Sequence, residues 1–139
     1  MTATRAWLID KSALVRLPAS PDQATWLNRI QRGLVTVTPL TMAELGFSTM
    51  SADDWTRLQH GPPLALMPLI GISPRAESRA LEVQGLLAGR GRHRAVGVAD
   101  LFIAAVAEDS GLTLLHVDKD FDLISEVTNQ PVERLSGDF

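Results

Sequence analysis

Cysteine is absent from this 139-residue chain. That excludes disulfides, iron–sulfur clusters, thiolate zinc sites and a cysteine nucleophile. Aromatic residues make up only 5% of the chain, so a platform for stacking the bases of a single strand is not prominent. The three histidines, His60, His93 and His116, are too scattered to supply a zinc site. Basic charge is not in excess: 13 Lys plus Arg stand against 16 Asp plus Glu, net −3. A nonspecific polycationic coat for nucleic acid is thereby excluded, while a local basic patch is not. No apolar run approaches the ~20 residues of a membrane span. The stretch Met1 to Asp10 has no long apolar core before its first acid, so no signal peptide is expected. The expected location is the cytoplasm, with no membrane association.

What is present is the composition of a folded domain, 45% hydrophobic and 21% charged. The length suits one domain, expected to span residues 1–139. Charge is unevenly placed. Arg75 to Arg94 holds five Arg and two Glu, whereas Asp100 to Phe139 holds nine acids and two bases. A basic segment running into an acidic one suggests a surface with two tasks.

Ala6 to Asp10 reads as a buried strand ending in a carboxylate, followed by a short helix over Lys11 to Val15. Pro18 to Asp22 breaks the chain, and Ala24 to Arg32 reads as a helix stopped by Gly33. Leu34 to Val37 reads as a second strand. Thr41 and Glu44 fit a capping box that opens a helix to about Met50. Ser51 opens another, ending before Gly61. Leu66 to Ile72 reads as a third strand, demoted to an edge by Pro68. Ser73-Pro74 starts a helix with Leu81, Leu86 and Leu87 on its core face. Gly89 to Arg94 is a loop. Ala99 to Ser110 is an apolar central helix closed by Gly111. Leu112 to Val117 is a strand, Phe121 to Val127 a helix and Val132 to Leu135 a last strand. Strands alternating with helices predict an α/β fold with a mostly parallel central sheet flanked by helices.

On that reading Asp10 and Asp118 lie at the carboxyl ends of strands, the edge where open parallel sheets form their sites. Asp100 and Glu44 lie near helix starts that return to the same edge. Asp120 and Ser12 follow two residues behind Asp118 and Asp10. Such a cluster is unfavourable alone, because like charges raise one another's pKa. A hard divalent cation, Mg²⁺ or Mn²⁺, offsets it with oxygen ligands. Acids around such a metal suit phosphoryl chemistry on a nucleic acid. Each residue also has a plain structural explanation. Asp10 ends a strand, Glu44 completes a capping box, and Asp100 meets a helix dipole. Asp118 and Asp120 suit a solvated turn, and Ser12 an N-cap. Spacing alone leaves both explanations open.

Four short stretches carry a resemblance: Leu8-Ile-Asp-Lys-Ser-Ala13, Met42-Ala-Glu44, Val98-Ala-Asp-Leu-Phe-Ile-Ala104 and His116-Val-Asp-Lys-Asp-Phe121. In content and order they resemble PIN-domain ribonucleases, and the chain looks like a VapC-type toxin of a bacterial toxin–antitoxin pair over essentially its whole length. The usual first motif reads Asp-Thr-Ser; here Lys11 replaces the central residue and puts a cation beside the site. The resemblance implies a metal-dependent endoribonuclease in which an acidic quartet, Asp10, Glu44, Asp100 and Asp118, holds a metal-activated water. It implies Asp10, Asp100, Asp118 and Asp120 as metal ligands, with Ser12 acting through a bound water, and Mg²⁺ or Mn²⁺ as cofactor. It also implies an RNA substrate, a VapB-like antitoxin and a homodimer that joins a larger toxin–antitoxin assembly. Trp55 and the first helices supply candidate apolar surface for such partners.

Arg90, Arg92, His93 and Arg94 precede Asp100 closely. They read either as a solvated basic loop or as an RNA clamp, since phosphates need cations where an acidic site repels them. His116, ending an apolar strand, reads as a satisfied core residue. Rival readings fit less well. A haloacid-dehalogenase phosphatase wants Asp-x-Asp where this chain has Asp10-Lys-Ser12. A receiver domain wants an early acidic pair that is missing. A catalytically inactive PIN-like module for binding RNA or protein is the remaining alternative, although this chain lacks none of the acids.

Overall fold

The computed structural model describes residues 5–139. Residues 1–4, the front of the stretch read against a signal peptide, lie outside the described residues. Four strands, β1 (Trp7–Ile9), β2 (Val35–Thr36), β3 (Thr113–His116) and β4 (Val132–Arg134), form one sheet in the order β2-β1-β3-β4. All three pairings are parallel, with Leu8 opposite Thr36 and Leu114, and Leu115 opposite Glu133. Seven α-helices connect and cover them: α1 (Lys11–Leu14), α2 (Gln23–Gln31), α3 (Pro39–Phe47), α4 (Ala52–His60), α5 (Pro74–Gly89), α6 (Val98–Asp109) and α7 (Lys119–Thr128). The expected α/β architecture with a parallel sheet is the one observed.

Side-chain alternation along the strands splits the core in two, because successive residues point to opposite faces. Trp7, Ile9 and Leu115 pack with Trp26, Ile30 and Leu45 on one face. Leu8 and Leu114 pack with Val83, Leu87, Leu101, Phe121 and Ile124 on the other. Both faces are covered, as all-parallel sheets require. Trp7 meets Trp26 edge to face at 5.1 Å, and the Arg29 guanidinium lies over both rings.

Gly111 closes α6 at φ +68°, a left-handed turn that a side chain would strain. It lets the chain fold straight back into β3. Ser51 and Ser73 cap α4 and α5 as read from the sequence.

Three expectations are corrected. First, Leu66 to Ile72 is not a strand. Leu64–Leu66 is a 3₁₀ turn, and only Leu69 bridges Val37. Pro68 has no N–H to extend the ladder; its carbonyl accepts from Val37 N–H. Second, Thr41 does not cap α3. Thr38 does, its hydroxyl accepting from Thr41 N–H at 3.0 Å, with Pro39 in the first turn. Thr38-Pro39 repeats the Ser73-Pro74 signal three residues upstream of the expected box. The helix accordingly ends at Phe47 rather than near Met50. Third, Leu81 and Leu86 face solvent, at 64% and 43% exposure. The buried stripe of α5 is Ala76, Ala80, Val83 and Leu87. Its small residues let α5 lie close to the Ala-rich α6, and ion pairs from Arg79 to Glu108 and Arg75 to Asp109 tie the two helices at their rim.

That assignment is testable. Leu87→Ala should cost about 2–5 kcal/mol, whereas Leu81→Ala should stay within about 0.5 kcal/mol. Urea unfolding of both variants at unchanged m-value measures the difference; equal losses would reverse the assigned face.

Candidate metal centre

The parallel sheet sends its strand ends to one edge, and four acids meet there. Asp10 leaves β1, is 5% exposed, and caps α1 by accepting from Ser12 N–H at 3.0 Å. Its own N–H donates to the Leu115 carbonyl, which locks the exits of β1 and β3 together. Ser12 Oγ accepts from Val117 N–H at 2.9 Å. Asp118 caps α7, accepting from Asp120 N–H at 2.9 Å. Asp120 in turn accepts from Gly97 N–H at 3.1 Å, binding the start of α7 to the start of α6. Gly97 leaves room for this close approach: a Cβ there would sit 3.2 Å from the Asp100 carboxylate, which would have to shift slightly.

Asp10, Ser12, Glu44, Asp100 and Asp118 line one open cavity of about 340 Å³, together with Lys11, Val15 and Arg16. Oxygens of Asp100, Asp118 and Asp120 all lie within 4.8 Å of one another. The structure therefore brings together every acid singled out in the sequence, Asp120 through its closeness to Asp100 and Asp118 rather than as a lining residue of the cavity. Glu44 arrives by a different route from the one expected. With Thr38 as the cap, Glu44 sits in the second turn of α3 and closes no capping box. One of its carboxylate oxygens is buried with no hydrogen-bond partner among the described residues.

Electrostatics agree with crowding. Burial pushes the Asp100 carboxyl up to about 8, helped by a hydrogen bond with Asp120 and by the charges of Asp10, Asp118 and Asp120. A first-turn carboxylate normally gains roughly 0.3–1 kcal/mol from the helix dipole. The rise seen here, at about 1.4 kcal/mol per unit, outweighs that gain even when discounted for partial exposure. Burial also raises Glu44, Asp10 adds to the rise, and Lys11 opposes it. His116 is moved the other way, its imidazole pKa lowered chiefly by burial.

This donor set fits a hard divalent cation. It offers oxygen ligands only, Asp10, Asp118 and Asp120 disfavour the charge of Asp100, and the buried Glu44 oxygen lacks a hydrogen-bond partner among the described residues. The basic loop is placed differently. Arg90, Arg92, His93 and Arg94 are exposed between α5 and α6 and do not line the cavity. Val96, 6% exposed, anchors the loop just before Gly97. Arg16 is a cavity residue that the sequence reading missed; it donates to the Ser12 carbonyl from one turn further along. Its spacing of four from Ser12 is the signal that was available.

A family model for the PIN domain matches residues 7–127. Ribonuclease VapC2 of Mycobacterium tuberculosis is 58% identical over 130 residues, spanning 94% of this chain and 92% of the relative. The chain belongs to the PIN-domain family, among its VapC proteins. Ribonuclease VapC51 of the same species is 37% identical over 91% of this chain and 90% of the relative. Among solved structures, the DNA-bound VapBC of Salmonella typhimurium superposes with TM-score 0.77 at 14% identity, covering 94% of this chain and 98% of that one. VapBC2 of Rickettsia felis, bound to a promoter fragment, gives 0.75 at 16%, covering 94% and 99%. At those identities the likeness concerns the PIN fold.

The raised Asp100 sets a pH dependence in metal-free protein. Below about pH 4 the carboxyl is protonated both folded and unfolded, at no cost. Between there and about pH 8 the folded state holds a proton that the unfolded chain releases, so stability falls as pH rises. Above pH 8 the cost is constant. Asp100→Asn should flatten this fall and melt at an equal or higher temperature than wild type at pH 8.5 in chelator. Thermal melts of both proteins at pH 5 and 8.5 test it. A variant less stable at both, with the wild-type slope intact, would mark Asp100 as only a helix-end charge.

Proposed function

We propose that this chain is a metal-dependent endoribonuclease of the toxin type, held inactive by a VapB-like antitoxin. The observation that carries the reading is the convergence of Asp10, Glu44, Asp100 and Asp118 on one cavity in a PIN fold. The ribonuclease names of relatives at 58% and 37% identity support it. The complete acidic set also favours an enzyme over a catalytically inactive binding module.

Asp10, Asp100, Asp118 and Asp120 are the proposed holders of Mg²⁺ or Mn²⁺, with Ser12 acting through water. When bound, such an ion supplies Lewis-acid stabilisation of phosphodiester charge and lowers the pKa of water. The protein's own groups do the rest. Glu44, raised by burial, is a carboxyl that can exchange a proton at the cavity wall. Ser12 Oγ already accepts from Val117 N–H, so its own proton is free to donate. Lys11 and Arg16 put positive charge on the same wall, where a phosphate of RNA needs it. The exposed arginines of the α5–α6 loop extend that charge outward along the RNA backbone.

For the antitoxin, an apolar groove of about 280 Å³ includes Leu14, Val15, Leu27, Leu45 and Leu58. Val15 lines both this groove and the acidic cavity. An amphipathic segment seated in the groove therefore reaches the acids and can present a cation to them. Solved neighbours described as VapBC assemblies support this partner. The reading extends to a homodimer, for which the fully solvent-facing Phe47 and Met50 are apolar surface in a single copy, and to residues 1–139 as one domain, since β4 beyond the matched segment still pairs with β3. It places the protein in the cytoplasm; no helix among the described residues is long and apolar enough to cross a membrane.

Purified protein incubated with labelled RNA should cleave it with Mg²⁺ or Mn²⁺ and stop in EDTA, with recovery on added metal. Undiminished cleavage in excess chelator would overturn the metal reading, and no cleavage with either metal would favour the binding module.

Joint Arg90→Ala, Arg92→Ala and Arg94→Ala should weaken RNA binding and lower its salt dependence by about one unit of slope per lost phosphate contact. Unchanged affinity and slope would leave the loop as solvated surface.

A further inference from the structure

His116 ends β3 with its side chain fully buried, its ring centred 5.4 Å from that of Phe121. Filling a core needs no imidazole, and a hydrophobic residue in that place would avoid burying two polar nitrogens. One of those nitrogens is in use: Nδ1 accepts from Asp118 N–H at 3.0 Å. The other, Nε2, has no hydrogen-bond partner among the described residues, and the Asp122 carboxylate stands 3.5 Å away. An accepting Nδ1 carries no proton, so a neutral ring carries its proton on Nε2, the side facing Asp122.

The corner between β3 and α7 is held from both sides. Val117 N–H goes to Ser12 Oγ and Asp118 N–H to His116 Nδ1. The His116 carbonyl accepts from Leu135 N–H at 2.9 Å, which stops the strand end from peeling away. Two consecutive amides are thus satisfied by side chains rather than by water. Since one oxygen of Asp118 already accepts from Asp120 N–H, the direction of its carboxylate follows from the backbone at residues 117 and 118.

We propose that His116 is a positioning residue for the acidic site: its Nδ1 fixes the Asp118 backbone, and so the Asp118 carboxylate, while Asp122 selects the Nε2–H tautomer. The proposal rests on the metal reading given above, for which Asp118 is a ligand. Groups that orient a ligand from behind typically contribute about 10–100-fold to metal affinity.

The test uses the whole chain and Mn²⁺ alone, with no RNA. His116→Phe keeps an aromatic ring and removes the acceptor. His116→Asn gives up the ring but offers an amide oxygen at the same distance from Cβ as Nδ1. Calorimetry should show Mn²⁺ bound on the order of tenfold more weakly by His116→Phe, with much of the loss recovered in His116→Asn. Wild-type affinity in His116→Phe overturns the proposal, and so does an equal loss in both variants, which would make ring packing the cause. Nitrogen NMR of the unmodified protein decides the matter even if the Phe variant fails to fold. His116 should be the Nε2–H tautomer with a bare Nδ1, and Asp122→Asn should raise the fraction of the other tautomer. A protonated Nδ1 in wild type overturns the proposal outright. Should wild type bind no Mn²⁺, the metal reading falls, and the tautomer still decides the positioning.

Discussion

Partial burial of carboxylates gathered at one edge of a parallel sheet is the constraint on which the rest of this structure turns. Strands that all run the same way deliver their ends to the same side, and the helices that follow must start there. Asp10 and Asp118 arrive by the first rule, Asp100 by the second. Water does not dissipate the resulting charge, because Asp10 is almost fully buried and Asp100 partly so. The protein answers with hydrogen bonds that hold the chain where the acids must be. Asp10 N–H goes to Leu115, Gly97 N–H to Asp120, and Asp120 N–H to Asp118. The first two of these bonds join segments far apart in the chain, and the third fixes the first turn of α7.

Holding that edge requires a stiff body beneath it. The β3 strand is buried along its whole length between the two halves of the core. On one side α6 stacks its alanines against the alanine stripe of α5, and Arg79 reaches both Glu108 and Glu82 at the rim. Partly exposed pairs of this kind contribute about 0.2–1 kcal/mol each. Burial of the stripe, at about 25 cal/mol per Å² of apolar surface, contributes more than the pairs do. Apolar packing thus contributes most to holding α5 on α6, with the ion pairs joining the two helices at the rim. Asp100 lies in the first turn of that packed helix.

The legible parts of the sequence were those in which a local signal and the tertiary outcome coincide. Asp10, Asp100 and Asp118 follow or open elements whose apolar runs are unmistakable, so their common edge follows from parallel pairing. Glu44 was placed at that edge by its position near a helix start, and the four-motif resemblance then singled it out as a site residue. Its local explanation as a capping-box partner failed, because Pro39 started the helix one turn early. Leu81 and Leu86 look like core residues by hydropathy, yet close helix contact selects alanines for the buried face. That preference depends on the neighbour, which a single helix pattern does not contain. The segment Leu66 to Ile72 failed for a related reason: apolar content suggested a strand, while Pro68 removed the donor a ladder needs. His116 looks satisfied from its place in the strand, and only the three-dimensional arrangement shows that one nitrogen holds a backbone amide while the other has no hydrogen-bond partner among the described residues and faces Asp122.

The cations are placed to suit the same charge balance. An acidic cavity on a net-negative chain repels a polyanion at long range, and about 8–10 Å of screening at physiological salt does not remove repulsion at contact. Arg90, Arg92 and Arg94 stand outside the cavity, exposed on the loop that ends at Gly97. Lys11 and Arg16 stand inside its wall. The arginines can remain extended in water without neutralising the acids. Lys11 is close enough to oppose the rise in the Glu44 pKa, yet Asp100 still rises to about 8. Two cations thus share the cavity wall with four acids, Asp10, Glu44, Asp100 and Asp118. A site whose acids were fully neutralised by its own lysine and arginine would have little left to offer a divalent ion. Under the proposed function, a balance left negative in the cavity, with the arginines exposed outside it, would suit a metal among the acids and a phosphate backbone on the loop.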